Sequence, residues 1–269
     1  MKVRGERECQ ACGTRWSYYE TGSVACPECE SLRSVGIDDR TAHTDAPAAL
    51  DLTDHRARFG DARRTLPEEG VDAMKRDLRA YVRKRGFIRA GALQPLDAPY
   101  LAARELLEAV DAYDRLVDPT DDDRTYLLGL LAGTEDGDRP AAADVPTTMR
   151  EARGMAAVRA VEAYREDLAT FLDELSTANA EGSGGRDEAG DGDGDGDDPT
   201  ARIGPVRERV ERLRDRTKRI DALGGDVDPA VADALVDAAD ALGVYVRAGD
   251  RSALARADDR LETATSIDG

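Results

Sequence analysis

Imidazoles, thiols and amines are scarce in these 269 residues: two histidines, four cysteines and four lysines, with one tryptophan and aromatics at 4%. His43 and His55 stand alone in a polar, irregular stretch, where a histidine is expected to be solvated and without a fixed partner for acid–base work. No Gly-x-x-x-x-Gly-Lys phosphate loop, no Ser/His/Asp set and no Glu-x-x-His motif occurs. Those absences exclude the common phosphate-loop, nucleophilic and di-iron chemistries, so the chain is expected not to be an enzyme. No apolar run approaches the ~20 residues of a membrane helix. The opening Met1-Lys2-Val3-Arg4-Gly5-Glu6 has no apolar segment of signal-peptide length, and the expected location is cytoplasmic.

What is abundant is acid. The formal net charge is -18 and the isoelectric point near 4.6, far from a general polyanion binder. Arginine replaces lysine almost everywhere, the only lysines being Lys2, Lys75, Lys84 and Lys218. An acidic, lysine-poor chain rich in Ala and Asp suits a salt-filled cytoplasm, where surface carboxylates keep a protein hydrated. With few aromatics, the core is expected to be thin and built from Leu, Val and Ala stripes.

The four cysteines are not scattered. Cys9 and Cys12 form one C-x2-C pair and Cys26 and Cys29 a second, thirteen residues on. Each pair turns two thiolates toward one point, and two facing turns complete a tetrahedral sulfur cage. Gly13 suits the first turn, where a positive φ is often needed, and Pro27 stiffens the second. Around the turns Arg15, Ser17 and Tyr19 alternate with Trp16 and Tyr18, as in a strand. The expectation is a three-stranded ribbon from about Val3 to Ile37, clamped by one ion. A segment this short has too little core to fold unaided, and metal binding worth roughly 10–16 kcal/mol in comparable peptides supplies the difference. Paired thiols in a non-secreted chain favour metal over disulfides, and a closed four-cysteine site favours structural zinc over catalytic zinc.

Cys-x2-Cys-Gly, Trp16 and Cys-Pro-x-Cys together resemble a zinc ribbon of the transcription factor IIB type. The stretch Arg4-Gly5-Glu6-Arg7-Glu8-Cys9 through Arg33-Ser34-Val35-Gly36 also resembles an uncharacterised group of halophilic archaeal zinc-ribbon proteins. The likeness covers about 37 residues and implies zinc at Cys9, Cys12, Cys26 and Cys29, with Trp16, Tyr18 and Tyr19 offered to a protein partner, such as transcription machinery. One position departs from the pattern: Glu30 stands where such ribbons usually carry Gly. The remainder lacks room for the two cyclin-like repeats of the general factor. The Cys-Pro-x-Cys turn resembles rubredoxin-like iron sites as well, which makes a small electron carrier with iron in the cage the alternative.

Beyond the ribbon the expected fold is mostly α. Residues 38–64 read as an irregular linker arm. Thr65-Leu66-Pro67-Glu68 is a capping box, opening a helix with Val71, Met74 and Leu78 inward. Asp97-Ala98-Pro99 starts a second helix, Asp122 or Asp123 caps a third, and Thr148-Met149-Arg150-Glu151 opens a long one to about Ala178. These make a helical bundle domain over 65–178. The Gly/Asp-rich stretch within 179–198 is expected to stay disordered; Asp191, Asp193 and Asp195 imitate half an EF-hand, but Arg202 occupies the place of its bidentate Glu. A C-terminal three-helix segment follows over 199–266, with Ile203, Val206, Val210, Leu213, Thr217 and Ile220 stepping 3-4-3-4-3. The most basic stretch is helix 74–89, where Lys75, Arg76, Arg79, Arg83, Lys84, Arg85 and Arg89 gather. They could grip nucleic-acid phosphates or pair with acidic neighbours; high salt, which cuts phosphate affinity steeply, favours pairing.

Overall fold

The computed structural model describes residues 1–59, 68–183 and 202–265. The first 42 residues make two small sheets. β2 (Glu6–Cys9) is the centre of a three-stranded antiparallel sheet, flanked by β3 (Arg15–Ser17) and β4 (Ser34–Gly36). β1 (Lys2–Arg4) does not join it; it pairs with β5 (Arg40–Ala42) in a separate antiparallel ribbon. Tyr18 and Tyr19 leave strand geometry for one helical turn, α1 (Tyr18–Thr21), closed by Gly22 at φ +64.

The expected linker arm is folded where it is described. β5 lies in it, α2 (Thr53–Phe59) follows, and His43, Asp45, Leu52, His55 and Phe59 are buried. Asp45 is the reason a polar stretch can sit inside: it takes the guanidinium of Arg85 at 2.9 Å and that of Arg89 at 2.6 Å. Arg85 also reaches Asp97. A buried carboxylate holding two arginines tethers the arm to the helices, and no local sequence pattern announces it.

The helices begin with α3 (Glu68–Lys84); the capping box expected at 65–68 lies outside the described residues. A short hairpin of β6 (Ile88–Arg89) and β7 (Ala92–Leu93) leads to α4 (Ala98–Arg115), capped by Asp97, whose carboxylate accepts from Tyr100 N–H at 2.8 Å. α5 (Asp121–Gly133) is capped earlier than the expected Asp122 or Asp123. Thr120 is its N-cap, and Asp123 closes the capping box from N3. Asp123 also accepts from the Thr148 hydroxyl, so Thr148 does not cap the next helix. The chain enters α6 (Arg150–Ser183) through a 3-10 turn at Thr147–Met149 instead, and the helix runs five residues past the expected end. The rest of the Gly/Asp stretch, with Asp191, Asp193 and Asp195, lies outside the described residues.

α7 (Ile203–Ala222) and α8 (Pro229–Ala248) pack on α6, α9 (Arg251–Thr263) packs on α8 and α7, and all three share one core with the helices before them. The expected seam is where it should be: Val206, Val210, Leu213, Thr217 and Ile220 are buried. Alanines line the contact faces of α4, α6 and α8, which lets helices approach closely and compensates for the shortage of aromatics. Gly154 on α6 faces the carbonyl of Gly225 in the α7–α8 turn, where a Cβ would overlap it. Phe87, Tyr100 and Tyr164 supply the bulk, edge to face at 5.1 and 5.0 Å.

At the centre lies a buried ionic knot. Glu105 on α4 is 0% exposed and accepts from Arg153 on α6 at 2.7 and 2.9 Å, Arg139 at 2.8 Å and the Tyr126 hydroxyl at 2.5 Å. Arg153 then grips Asp233 on α8 with two bonds, at 2.9 and 2.8 Å. Every charge is paired, so the knot fixes the register of three helices without leaving an orphan.

Candidate metal centre

The two cysteine turns are near copies in their hydrogen bonding. Gly13 N–H donates to Cys9 O at 2.9 Å and Cys9 N–H to Thr14 O at 2.9 Å. In the second turn Glu30 N–H donates to Cys26 O at 2.9 Å and Cys26 N–H to Ser31 O at 3.0 Å. Gly13 stands at φ +77 and Glu30 at φ +57. Glu30 therefore adopts the left-handed backbone that the missing glycine would have taken, and the departure from the ribbon pattern leaves the turn geometry intact.

β2 ends on Cys9, and β4 pairs beside it, Cys9 opposite Ser34, so the sheet fixes the first turn. All four sulfurs lie within 4.8 Å of one another, with Cys9–Cys29 at 3.7 Å, Cys12–Cys26 at 3.6 Å and Cys12–Cys29 at 3.5 Å. A tetrahedral ion with metal–sulfur bonds of about 2.3 Å requires sulfur–sulfur edges near ~3.8 Å. Cys9, Cys12, Cys26 and Cys29 fit that requirement. They are the one such group of four among the described residues.

Protonation is shared unevenly in the cluster. Backbone N–H groups of Ala11 and Cys12 lower the Cys9 thiol, and Thr14, by side chain and backbone, lowers Cys12 to about 6. At Cys29 the Ser31 backbone favours the thiolate, yet the neighbouring sulfurs, Cys12 first, and local desolvation push it up to about 12. Four adjacent thiolates cannot coexist without a cation, and a bound metal would displace the last proton from Cys29.

Cys9 and Cys26 are buried, Cys12 and Cys29 exposed. Trp16 covers the buried pair; it is only 7% exposed and its indole N–H donates to Ser23 O at 3.0 Å. Trp16 is thus the small core of the ribbon rather than a surface residue. Tyr18 and Tyr19 are half-buried, and Tyr19 packs on the His43 ring at 4.7 Å while its hydroxyl meets Thr41 Oγ1 at 2.6 Å. The outward apolar side chains are others: Leu32 at 74% exposure, with Val24, Val35 and Ile37.

Neither histidine is solvated, as polar surroundings in the sequence had implied. His43 is 5% exposed, with both ring nitrogens lacking a hydrogen-bond partner among the described residues, and burial lowers its basicity. His55 is buried against Asp77, Nε2 to Oδ2 at 2.9 Å. Basic residues of 74–89 are largely engaged: Lys75 with Asp111 at 2.7 Å, Arg79 with Asp111 at 3.5 Å, and Arg85 and Arg89 with Asp45. Arg76 reaches Asp77 at 3.9 Å, and Arg83 donates to its own helix backbone at 3.1 Å. Among the described residues no helix is long and apolar enough to cross a membrane.

A sulfur tetrad able to hold a metal ion, set on a small sheet and mounted on a helical body, defines the class of protein. The chain belongs to DUF7117, a family of unknown function, whose model matches residues 1–188 and 195–261. No curated protein and no solved structure matches it.

Proposed function

We propose that Cys9, Cys12, Cys26 and Cys29 hold one structural zinc ion, and that the ribbon is the recognition element of a non-catalytic adapter. In this reading the adapter is a cytoplasmic protein of a halophilic archaeon and works beside the transcription machinery, as the likeness to the transcription factor IIB ribbon suggests. The observation that carries the zinc reading is the convergence of four sulfurs on two matched turns, all within 4.8 Å and three of their separations at 3.5–3.7 Å. Structural sites are closed by four protein ligands, and here four cysteines leave no open position for a substrate.

Support for recognition by a protein comes from the distribution of exposed apolar groups. Met1, Val24, Leu32, Val35 and Ile37 account for five of the seven large apolar side chains exposed among the described residues. So small a unit seldom exposes that much apolar surface without a use for it. The metal's part is to hold the strands that display these side chains; the chain's own residues make the contact. The test is capture from a lysate of the native host at native salt. Wild type is expected to retain a defined partner that both a Cys26→Ser/Cys29→Ser variant and a Leu32→Glu/Ile37→Glu variant lose. A partner set unchanged by either variant would move the function to the helices.

A further inference from the structure

The surface beside β1 carries a cluster of cations that no acid neutralises. Arg4 and Arg40 are directly opposite each other in the β1–β5 pair, a like-charge juxtaposition that destabilises a ladder unless something negative lies between. Arg7, on the neighbouring sheet, joins them around a cleft of about 430 Å³ floored by Val3, Tyr18 and Val24. None of the three arginines forms an ion pair among the described residues, in a chain whose formal charge is -18. Residues 1–42 themselves hold six basic and seven acidic side chains, so almost all of the acidity lies elsewhere.

Two of the arginines, Arg7 and Arg4, are also held in position. Arg7 donates through Nε and Nη2 to Ser34 Oγ at 3.1 and 2.9 Å and to Ser34 O at 3.2 Å. Ser34 is anchored in turn, its hydroxyl donating to Val24 O at 2.7 Å. This clamp leaves Nη1 of Arg7 without a partner among the described residues. Arg4 lies across Gly36, where any side chain would displace it, and donates to the backbone oxygen of Asp38. The Asp38 carboxylate accepts from Gly5 N–H at 2.9 Å and, among the described residues, forms no ion pair with these arginines. Lys2, at the rim, is tied to Glu174 at 2.6 Å.

We propose that this cleft binds a nucleoside phosphate, with phosphoryl oxygens on Arg4, Arg7 and Arg40 and the base against Tyr18 and Val24. Planar guanidiniums suit phosphate oxygens bidentately, an aromatic ring offers any base a stacking face, and the volume matches a mononucleotide. Free nucleotide and single-stranded nucleic acid share that chemistry. The site goes beyond the adapter reading: its failure would leave zinc content and partner capture untouched, and theirs would not remove it while the strands persist.

The test uses the zinc-loaded full chain at molar salt, titrated by calorimetry with inorganic phosphate, AMP, ATP and a short single-stranded oligoribonucleotide. Saturable binding of a nucleotide or oligonucleotide is expected, weakened roughly tenfold or more in Arg4→Gln/Arg40→Gln with zinc content unchanged. Tyr18→Leu should weaken the nucleosides while sparing inorganic phosphate, and Arg40→Lys should retain part of the affinity. These milder variants decide the matter if the double one fails to fold. Tighter binding of the oligonucleotide than of AMP or ATP assigns the site to a strand, and the reverse assigns it to free nucleotide. No saturation by any nucleoside phosphate, or binding indifferent to these substitutions, would overturn the proposal.

Discussion

Replacing Glu30 by glycine should tighten metal binding, although it removes a charged side chain beside the site. Glu30 is held at φ +57, a region that costs an L-residue roughly 1–2 kcal/mol. Glycine escapes that cost but loses more freedom on folding, which returns about 0.4–1 kcal/mol to the unfolded chain. The net gain is roughly 0.5–1 kcal/mol. Because ribbon folding and metal binding are coupled, it should read as a roughly two- to fivefold rise in apparent zinc affinity. Gly13 provides the mirror experiment. It sits at φ +77 with nothing within 4 Å of a would-be Cβ, so Gly13→Ala changes backbone strain and chain entropy with no steric clash. That variant should weaken affinity by a similar roughly two- to fivefold. Competition with a chromophoric chelator measures both. An unchanged or weaker affinity in Glu30→Gly, beside a weakened Gly13→Ala, would refute strain as the term that matters and assign a role to the Glu30 carboxylate.

Other consequences can be checked on the same protein. Arg153→Met strips Glu105 of its strongest partner and should cost about 3–5 kcal/mol in denaturant titration, with most of the loss recovered by adding Glu105→Leu. Trp16→Ala should cost roughly 3–5 kcal/mol of ribbon stability, seen as lost order around the knuckles, because the indole is the ribbon's core. His43, buried among Tyr18, Tyr19, Asp45 and Arg89, has its folded pKa below the ordinary ~6.5. The unfolded state then binds the extra proton first, so stability falls as pH drops from ~6.5 toward the depressed value, by at most ~1.4 kcal/mol per pH unit. His43→Phe should flatten that difference in denaturation curves taken above and below pH ~6.5; an equal slope in both proteins would contradict it.

The parts legible in the sequence were those with a local signature. Four cysteines in two pairs point directly to the cluster whose sulfurs the fold brings within 4.8 Å of one another. Asp97 before its helix reads as a cap, and its side chain does accept the expected N–H group. Apolar stripes locate the buried faces of α3 and α7. What escaped was non-local. β5 pairs with β1 from the far side of the ribbon, leaving no periodic trace in either strand. The arm looks solvated because its inward residues include His43, Asp45 and His55, whose burial depends on arginines and an aspartate brought in from distant segments. The likeness to the transcription factor ribbon suggested a surface role for Trp16, yet a ribbon with so little apolar mass needs its one indole inside. Arg4 and Arg40 are unremarkable in sequence and become a pair only through the ladder.

The most direct test of the central claim is X-ray absorption at the zinc edge, with metal analysis, on full chain purified without added metal. One zinc per chain, surrounded by four sulfurs at about 2.3 Å, is the predicted result. Iron in its place, a nitrogen or oxygen ligand in the shell, or a metal-free chain whose ribbon stays ordered would contradict it.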